Sequence, residues 1–139
     1  HPEGEGAARV MKMALDEAGL PLESVDYINV HGTSTPAGDV AEAKAIKNLF
    51  GEHAYELNIS STKSMTGHEN WMAGASEAVY SILMMQNNFV APNINLEHKI
   101  DEAKDLNIVT ETVYVPIETV LSNSSGMGGT NSALVFKKI

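Results

Sequence analysis

The stretch Ser61-Thr-Lys-Ser-Met-Thr-Gly-His68 joins a short apolar segment, Leu57 to Ser60, to a long one, Asn70 to Gln86. That order predicts a buried strand, a polar turn and then a helix, which is the repeating unit of α/β folds. The turn carries Lys63 and His68, so an ammonium and an imidazole are expected near the carboxyl end of a strand. This turn is therefore a candidate site.

Two other polar turns contain glycine and adjoin predicted strands. Val30-His-Gly-Thr-Ser-Thr-Pro-Ala-Gly-Asp39 follows a predicted strand over 25–30. Ser122-Asn-Ser-Ser-Gly-Met-Gly-Gly-Thr-Asn131 lies between predicted strands over 119–122 and 132–136. Because binding residues concentrate on loops held by a rigid sheet, we expect the three turns to form one shared site.

The rest of the chain completes an α/β pattern. Apolar residues at three- and four-residue spacing predict helices over 7–18, 39–51 and 70–86. Asp39 and Glu42 have the spacing of a capping box at the start of the second helix. Further extended segments are predicted over 89–95, 107–110 and 113–115. The order predicts a mixed sheet with helices on both faces, and the third helix, rich in small residues, is expected to be buried on several sides.

Length and composition predict one globular domain over residues 1–139, with 43% hydrophobic and 19% charged residues. The net charge of −9 argues against a nucleic-acid partner, and no apolar run approaches the ~18 residues of a membrane span. The absence of cysteine excludes disulfides and a cysteine nucleophile within this chain, and it is compatible with a cytoplasmic location. Because the first residue is His1 rather than Met, we expect the amino terminus to be an expression boundary, a cleavage point or a tag remnant.

Both histidines have a structural as well as a functional interpretation. A histidine after a strand, such as His31, is more often a turn residue, but its neighbours Thr33 and Thr35 offer hydroxyls for a ligand. We expect His68 at the start of the third helix, where the helix dipole and the nearby lysine favour a neutral imidazole. The same position would also suit a histidine that only caps the helix.

Glu77 and the glycine-rich turn each allow two interpretations. An unpaired carboxylate is costly on the apolar helix face where Glu77 lies, so we expect a buried pair with Lys63; the alternative is that Glu77 faces water. The run Gly126 to Gly129 lacks the Lys-Ser/Thr ending and following helix of a phosphate loop. A tight bend whose backbone N–H groups point at a developing oxyanion fits it better.

Together, the motifs Val30–Asp39, Lys63–His68 and Ser122–Asn131 closely resemble the carboxy-terminal half of β-ketoacyl-acyl-carrier-protein synthases, nearest to types I and II. The resemblance implies the C-terminal αβαβα half of a thiolase-like fold, with a mixed five-stranded sheet. The nucleophilic cysteine would lie in the amino-terminal half, outside this chain. The implied reaction is decarboxylative Claisen condensation of an acyl thioester with malonyl carrier protein in fatty-acid biosynthesis. The alternatives are a polyketide ketosynthase and a non-catalytic chain-length or binding partner.

The resemblance also implies roles for single residues. His31 and His68 would hydrogen-bond the malonyl thioester oxygen, and Lys63, paired with Glu77, would set the electrostatics of His68. The backbone N–H of Met127 would form half of an oxyanion hole. Substrate-binding residues would be Thr33, Thr35, Ser125 and Gly128. A sodium or potassium ion, as in some relatives, would be held by Asn29, Glu77, Ser122 and Asn123.

The implied partners are acyl carrier protein bearing pantetheine-linked acyl and malonyl groups, the amino-terminal half, and a second copy in a homodimer. No other cofactor is implied. Two stretches depart from the family pattern. Gly67-His-Glu-Asn-Trp-Met-Ala-Gly74 has Trp71 where the family has glycine, and Ser125-Gly-Met127 replaces two aromatic gate residues. We expect both departures to alter substrate choice.

Overall fold

The computed structural model describes all 139 residues. The α-helices are α1 (Glu5–Ala18), α2 (Pro36–Phe50), α3 (Lys63–Thr66) and α4 (Ala73–Asn87). The β-strands are β1 (Tyr27–Asn29), β2 (Asn58–Ser60), β3 (Phe89–Val90), β4 (Val113–Tyr114), β5 (Thr119–Ser125) and β6 (Asn131–Lys137). The three predicted helices correspond to α1, α2 and α4, whereas the one-turn helix α3 is an addition.

The main sheet has the strand order β2-β1-β5-β6, and β3 pairs with β4 in a separate two-stranded sheet. β1 is parallel to both β2 and β5, and β5 is antiparallel to β6. The sheet has four strands where five were expected, and the predicted extended segment 107–110 adds one parallel bridge, between Ile59 and Ile108. Pairing with β2 goes no further than this bridge for two reasons. The carbonyl of Val109 is bonded by the N–H of Asn93, at 2.7 Å, and is not free for the next residue along from β2, and β2 itself ends at Ser60.

Two apolar cores lie on opposite faces of this sheet, so the helices cover both faces as predicted. Met11, Ile28 and Ile46 belong to the core beneath α1 and α2. Tyr27 and Val120 belong to the core that α4 covers. Successive strand residues alternate between the cores because side chains along a strand point to opposite faces, and β1 is buried on both.

The start of α2 contradicts the predicted capping box. Thr35 is extended (φ −108°, ψ 136°) and makes no side-chain cap, and Pro36 begins the helix. Proline suits this position because its fixed φ is already helical and its missing N–H has no partner to lose. Asp39 therefore lies inside the first turn, and the Glu42 side chain is free to bond elsewhere.

α4 buries one face and leaves an apolar stripe on the other. Met72, Val79 and Leu83 are 59%, 55% and 46% exposed, at spacings that keep them on one side of the helix. The expected burial of this helix on several sides is thus not found within this chain, because no element of the chain covers the second side. None of the helices is both long and apolar enough to cross a membrane.

Candidate active site

The turns after β1 and β2 meet at one edge of the sheet, because parallel strands end on the same side. The rings of His31 and His68 lie edge to face, with centroids 5.5 Å apart. Gly32 has φ +40°, and a Cβ atom added there would lie 2.6 Å from Cβ of Ser61. The hydroxyl of Ser61 donates to the carbonyl of Gly32 at 2.9 Å. Glycine is therefore required for the close approach of the two turns.

Glu42 is a half-buried residue whose carboxylate holds the backbone around His31 in place. It accepts the backbone N–H groups of His31 and Gly32, both at 2.8 Å, and the Nδ2 of Asn123 at 2.7 Å. Burial raises the pKa of Glu42, and the hydrogen bonds from Asn123, Gly32 and His31 act against that rise. Sequence analysis missed this role because the spacing of Glu42 from Asp39 fitted a capping box, and no local signal points from α2 to the turn.

His31 is held in its neutral form. Burial, followed by the charge of Lys63 and then His68, lowers its pKa to about 4. Its Nδ1 atom is buried and has no hydrogen-bond partner. A neutral imidazole keeps one N–H, so this side chain can donate one hydrogen bond to a ligand at neutral pH.

The surroundings of His68 differ from the expectation. α4 begins at Ala73, and a 3₁₀ turn over Asn70–Met72 separates it from the histidine. Asn70 has a left-handed φ of +49°, which interrupts the helix there. The backbone N–H of Asn70 donates to Nδ1 of the exposed His68 ring at 3.0 Å, so a neutral ring carries its proton on Nε2.

Lys63 and Glu77 form the predicted buried ion pair. Lys63 lies on α3 and donates from Nζ to Oε1 of Glu77, and both side chains are almost wholly buried. The alternative in which Glu77 faces water is wrong. Burial raises the pKa of Glu77, opposed by its hydrogen bond and charge interaction with Lys63. The other carboxylate oxygen, Oε2, is buried without a partner.

The four residues proposed for a cation divide between the two faces of the sheet. Asn29 points toward α4, where its Nδ2 donates to the hydroxyl of Ser81 at 3.2 Å and its Oδ1 has no partner. Ser122 is the register partner of Asn29 and shares that face with it and Glu77. Asn123, one residue further along β5, points to the opposite face and donates to Glu42. The Asn123 side chain is therefore not part of this group.

The remaining candidates lie on the turns at the same edge. The hydroxyls of Thr33 and Thr35 are 3.1 Å apart on the turn after β1. Ser125 ends β5 opposite Asn131. Met127 is fully exposed at the tip of the hairpin, followed by Gly128 with φ +83°.

The family model for the carboxy-terminal domain of β-ketoacyl synthases matches residues 1–97. The chain belongs to the β-ketoacyl synthase family. It is 55% identical over 138 residues to the 3-oxoacyl-[acyl-carrier-protein] synthase 1 of Haemophilus influenzae, covering 99% of this chain and 33% of that protein. It is 54% identical over 139 residues to synthase 2 of Coxiella burnetii, again covering 33% of that protein. The chain thus spans about a third of the length of these synthases.

Solved structures of the family share the fold. A ketosynthase of a type II polyketide synthase, solved with its acyl-carrier protein, superposes with a TM-score of 0.96 at 36% identity, over 100% of this chain and 34% of that one. A β-ketoacyl synthase from Burkholderia phymatum gives 0.89 at 39% identity, over 95% of this chain and 32% of that one. The predicted thiolase-like half is confirmed, with four strands and a bridge where five strands were expected.

Proposed function

We propose that this chain is the part of a β-ketoacyl-acyl-carrier-protein synthase that activates the malonyl thioester for condensation. The observation that carries the proposal is the pair His31 and His68, whose ring centroids are 5.5 Å apart at the loop edge of the sheet. When the malonyl carboxylate leaves as carbon dioxide, the electron pair of the broken C–C bond moves onto the thioester oxygen. Two imidazole N–H groups directed at that oxygen stabilise the enolate. The enolate then attacks an acyl thioester, and the thiolate that carried the acyl group leaves.

The other residues have supporting roles in this proposal. The ammonium of Lys63 helps to keep His31 neutral, and its pairing with Glu77 holds it in place. The hydroxyls of Thr33 and Thr35 hold the pantetheine arm. Residues proposed to contact the acyl thioester are Met127, through its backbone N–H, Ser125 and Gly128. The nucleophilic cysteine belongs to a part of the protein outside this chain.

A sodium or potassium ion is proposed beside the ion pair. Oδ1 of Asn29 and Oε2 of Glu77 are buried oxygens without partners, and Ser122 shares their face. Oxygen donors of this kind suit a hard cation, so the residues fit the group. When bound, the ion would supply positive charge beside the carboxylate of Glu77.

We propose acyl carrier protein as partner and fatty-acid biosynthesis as the pathway, supported by the names and identities of the synthases from Haemophilus influenzae and Coxiella burnetii. A homodimer is proposed for the full-length protein. Polyketide synthesis is the second candidate, favoured by the similarity to the type II polyketide ketosynthase. Analysis of the product made by the full-length protein from acyl and malonyl carrier protein distinguishes the two.

The test of the catalytic roles uses His31→Ala and His68→Ala in the full-length protein. Each is expected to lower carbon dioxide release from malonyl carrier protein by about 10²–10³-fold, as for loss of a preorganised donor to an oxyanion. His53→Gln is the control, because His53 contacts the carbonyl of Val25 before β1, at the other end of the sheet. Near-normal release by both alanine variants would refute the roles.

A further inference from the structure

The segment 67–72, here named the histidine turn, joins α3 to α4 and carries His68. Glu69 is the one residue of this turn that is not exposed. The hydroxyl of Tyr80, on α4, donates to Oε1 of Glu69 at 3.2 Å, and Oε2 is buried without a partner. Because a carboxylate loses hydration when it turns inward, the bond from Tyr80 is the contact that stabilises Glu69 in this position.

Tyr80 connects this bond to a rigid part of the fold. Its ring is half-buried and packs against the core that α4 covers. Burial, followed by the hydrogen bond to Glu69, raises the pKa of Tyr80, so the phenol remains protonated and acts as the donor. No other side-chain hydrogen bond joins the histidine turn to α4. The inward carboxylate is therefore the point at which the helix holds the turn.

The hydrogen bonds inside the histidine turn depend on how its backbone is held. The N–H of Met72 donates to the carbonyl of Glu69 at 3.1 Å and closes the 3₁₀ turn. The N–H of Asn70 donates to Nδ1 of His68 at 3.0 Å. Asn70 makes that bond with a φ of +49°, a conformation that residues other than glycine adopt infrequently. A contact that keeps Glu69 inward therefore helps to keep both the position and the tautomer of His68.

We propose that Glu69 is a positioning residue for His68, acting through the bond from Tyr80 and the backbone of the histidine turn. This role requires an acceptor oxygen rather than a negative charge, because the partner of the carboxylate is a neutral hydroxyl. The inference rests on the proposed function, since the position of His68 affects the reaction only if its ring donates to the enolate oxygen.

The experiment measures kcat and KM for carbon dioxide release from malonyl carrier protein by the full-length protein. Tyr80→Phe and Glu69→Ala each remove the bond, and each is expected to lower kcat by ~10–100-fold with KM unchanged, because a misplaced group loses stabilisation of the transition state. Glu69→Gln keeps an acceptor oxygen and should stay within about twofold of the unsubstituted protein. The double variant Glu69→Ala with Tyr80→Phe should be no slower than the slower single variant, because both substitutions remove the same contact. Tyr114→Phe and Glu111→Ala, both at exposed positions, are the matched controls.

Amide hydrogen exchange followed by mass spectrometry tests the positioning without the reaction. The N–H groups of Asn70 and Met72 should exchange at least about tenfold faster in Tyr80→Phe and Glu69→Ala, because the turn opens more often once the bond is lost. Exchange in Glu69→Gln should match that of the unsubstituted protein. Unchanged exchange in the first two variants would overturn the inference, whatever the reaction proves to be.

The kinetic outcomes separate this inference from the proposed function. Normal carbon dioxide release by His68→Ala would refute the proposed function itself. Impaired release by His68→Ala with normal release by Tyr80→Phe and Glu69→Ala would overturn only the positioning role. Glu69→Gln as slow as Glu69→Ala would also overturn it, because the charge of the carboxylate and not its hydrogen bond would then be responsible. Thermal unfolding shows whether each variant is folded, and if Tyr80→Phe is not, the comparison of Glu69→Ala with Glu69→Gln decides the matter.

Discussion

Replacing Glu42 by glutamine tests how the candidate site is built. In the structure Oε1 of Glu42 accepts the N–H of His31 and Nδ2 of Asn123, and Oε2 accepts the N–H of Gly32 at 2.8 Å. Glutamine keeps one oxygen and replaces the other by an NH₂ group, which donates and cannot accept. At least one buried donor therefore loses its acceptor in Glu42→Gln.

The expected loss of unfolding free energy follows from these contacts. A hydrogen bond to a charged group contributes ~1.5–3 kcal/mol, and a buried donor left unpaired costs ~1–3 kcal/mol. The neutral amide is easier to bury than the carboxylate, which offsets part of that loss. We expect Glu42→Gln to destabilise the chain by ~1–3 kcal/mol. Glu42→Ala, which loses all three bonds and leaves a cavity, should cost ~3–5 kcal/mol.

Urea unfolding of the 139-residue chain at neutral pH measures both losses, with the exposed substitution Glu17→Gln as control. The pH dependence gives a second measurement. Because the folded-state pKa of Glu42 is raised above 4.5, its stability contribution is complete below pH 4.5 and decreases as pH rises through the folded-state pKa. Glu42→Gln should lack this decrease. In both proteins His31 changes the unfolding free energy with pH in the opposite sense, because its pKa is about 4 in the folded state and 6.5 in the unfolded state. Its contribution to stability is complete above pH 6.5 and is lost as pH falls from 6.5 toward 4. A glutamine variant as stable as the control, with an unchanged pH profile, would refute the role of Glu42.

Three further predictions concern the turns and the isolated chain. Gly32→Ala should destabilise the chain by ~1–3 kcal/mol in urea unfolding, because the added Cβ would lie 2.6 Å from Cβ of Ser61 at a left-handed φ. Ser61→Gly in the same chain should recover part of this loss; no recovery would mean that another contact is responsible. Ser125→Phe with Met127→Phe should narrow the range of acyl primers that the full-length protein extends, because aromatic rings would close the proposed acyl entrance, which small and flexible side chains now border. An unchanged chain-length profile would mean that other residues form the wall of the acyl pocket. The isolated chain should fold and self-associate through its exposed α4 stripe. It should not catalyse condensation of acyl and malonyl groups until the amino-terminal half is added, because it has no cysteine to carry the acyl group. Stable transfer of radiolabelled acyl groups to the isolated chain would contradict this.

The sequence predicts those features that depend on periodicity and on the cost of burial. The three- and four-residue spacing locates α1, α2 and α4, and the strand ends locate the turns with His31 and Lys63 at one edge. The Lys63–Glu77 pair could also be predicted, because a carboxylate on an apolar helix face needs a partner.

Other features depend on the conformation of one residue or on a distant partner. The left-handed φ of Asn70 moves the start of α4 away from His68. Asparagine adopts this conformation more readily than most residues, but the apolar periodicity that predicted the helix does not register it. Glu42 satisfies a local capping pattern, yet its partners lie 10, 11 and 81 residues away in the sequence. Only the packed fold selects between these two possibilities.

Side chains alternate between the two faces of the sheet along β1, and the turn after this strand is contacted from both faces. Asn29 points to the α4 face, where Glu77 pairs with Lys63, while the backbone of His31 is held by Glu42 from the α2 face. The first carboxylate is paired with an ammonium whose charge lowers the pKa of His31. The second is bonded by N–H donors that fix where the ring lies. The lowered pKa of His31 follows first from burial and then from the charge of Lys63, whereas the backbone position of His31 depends on Glu42. We therefore expect Glu42→Gln to alter the position of the ring more than Glu77→Gln does.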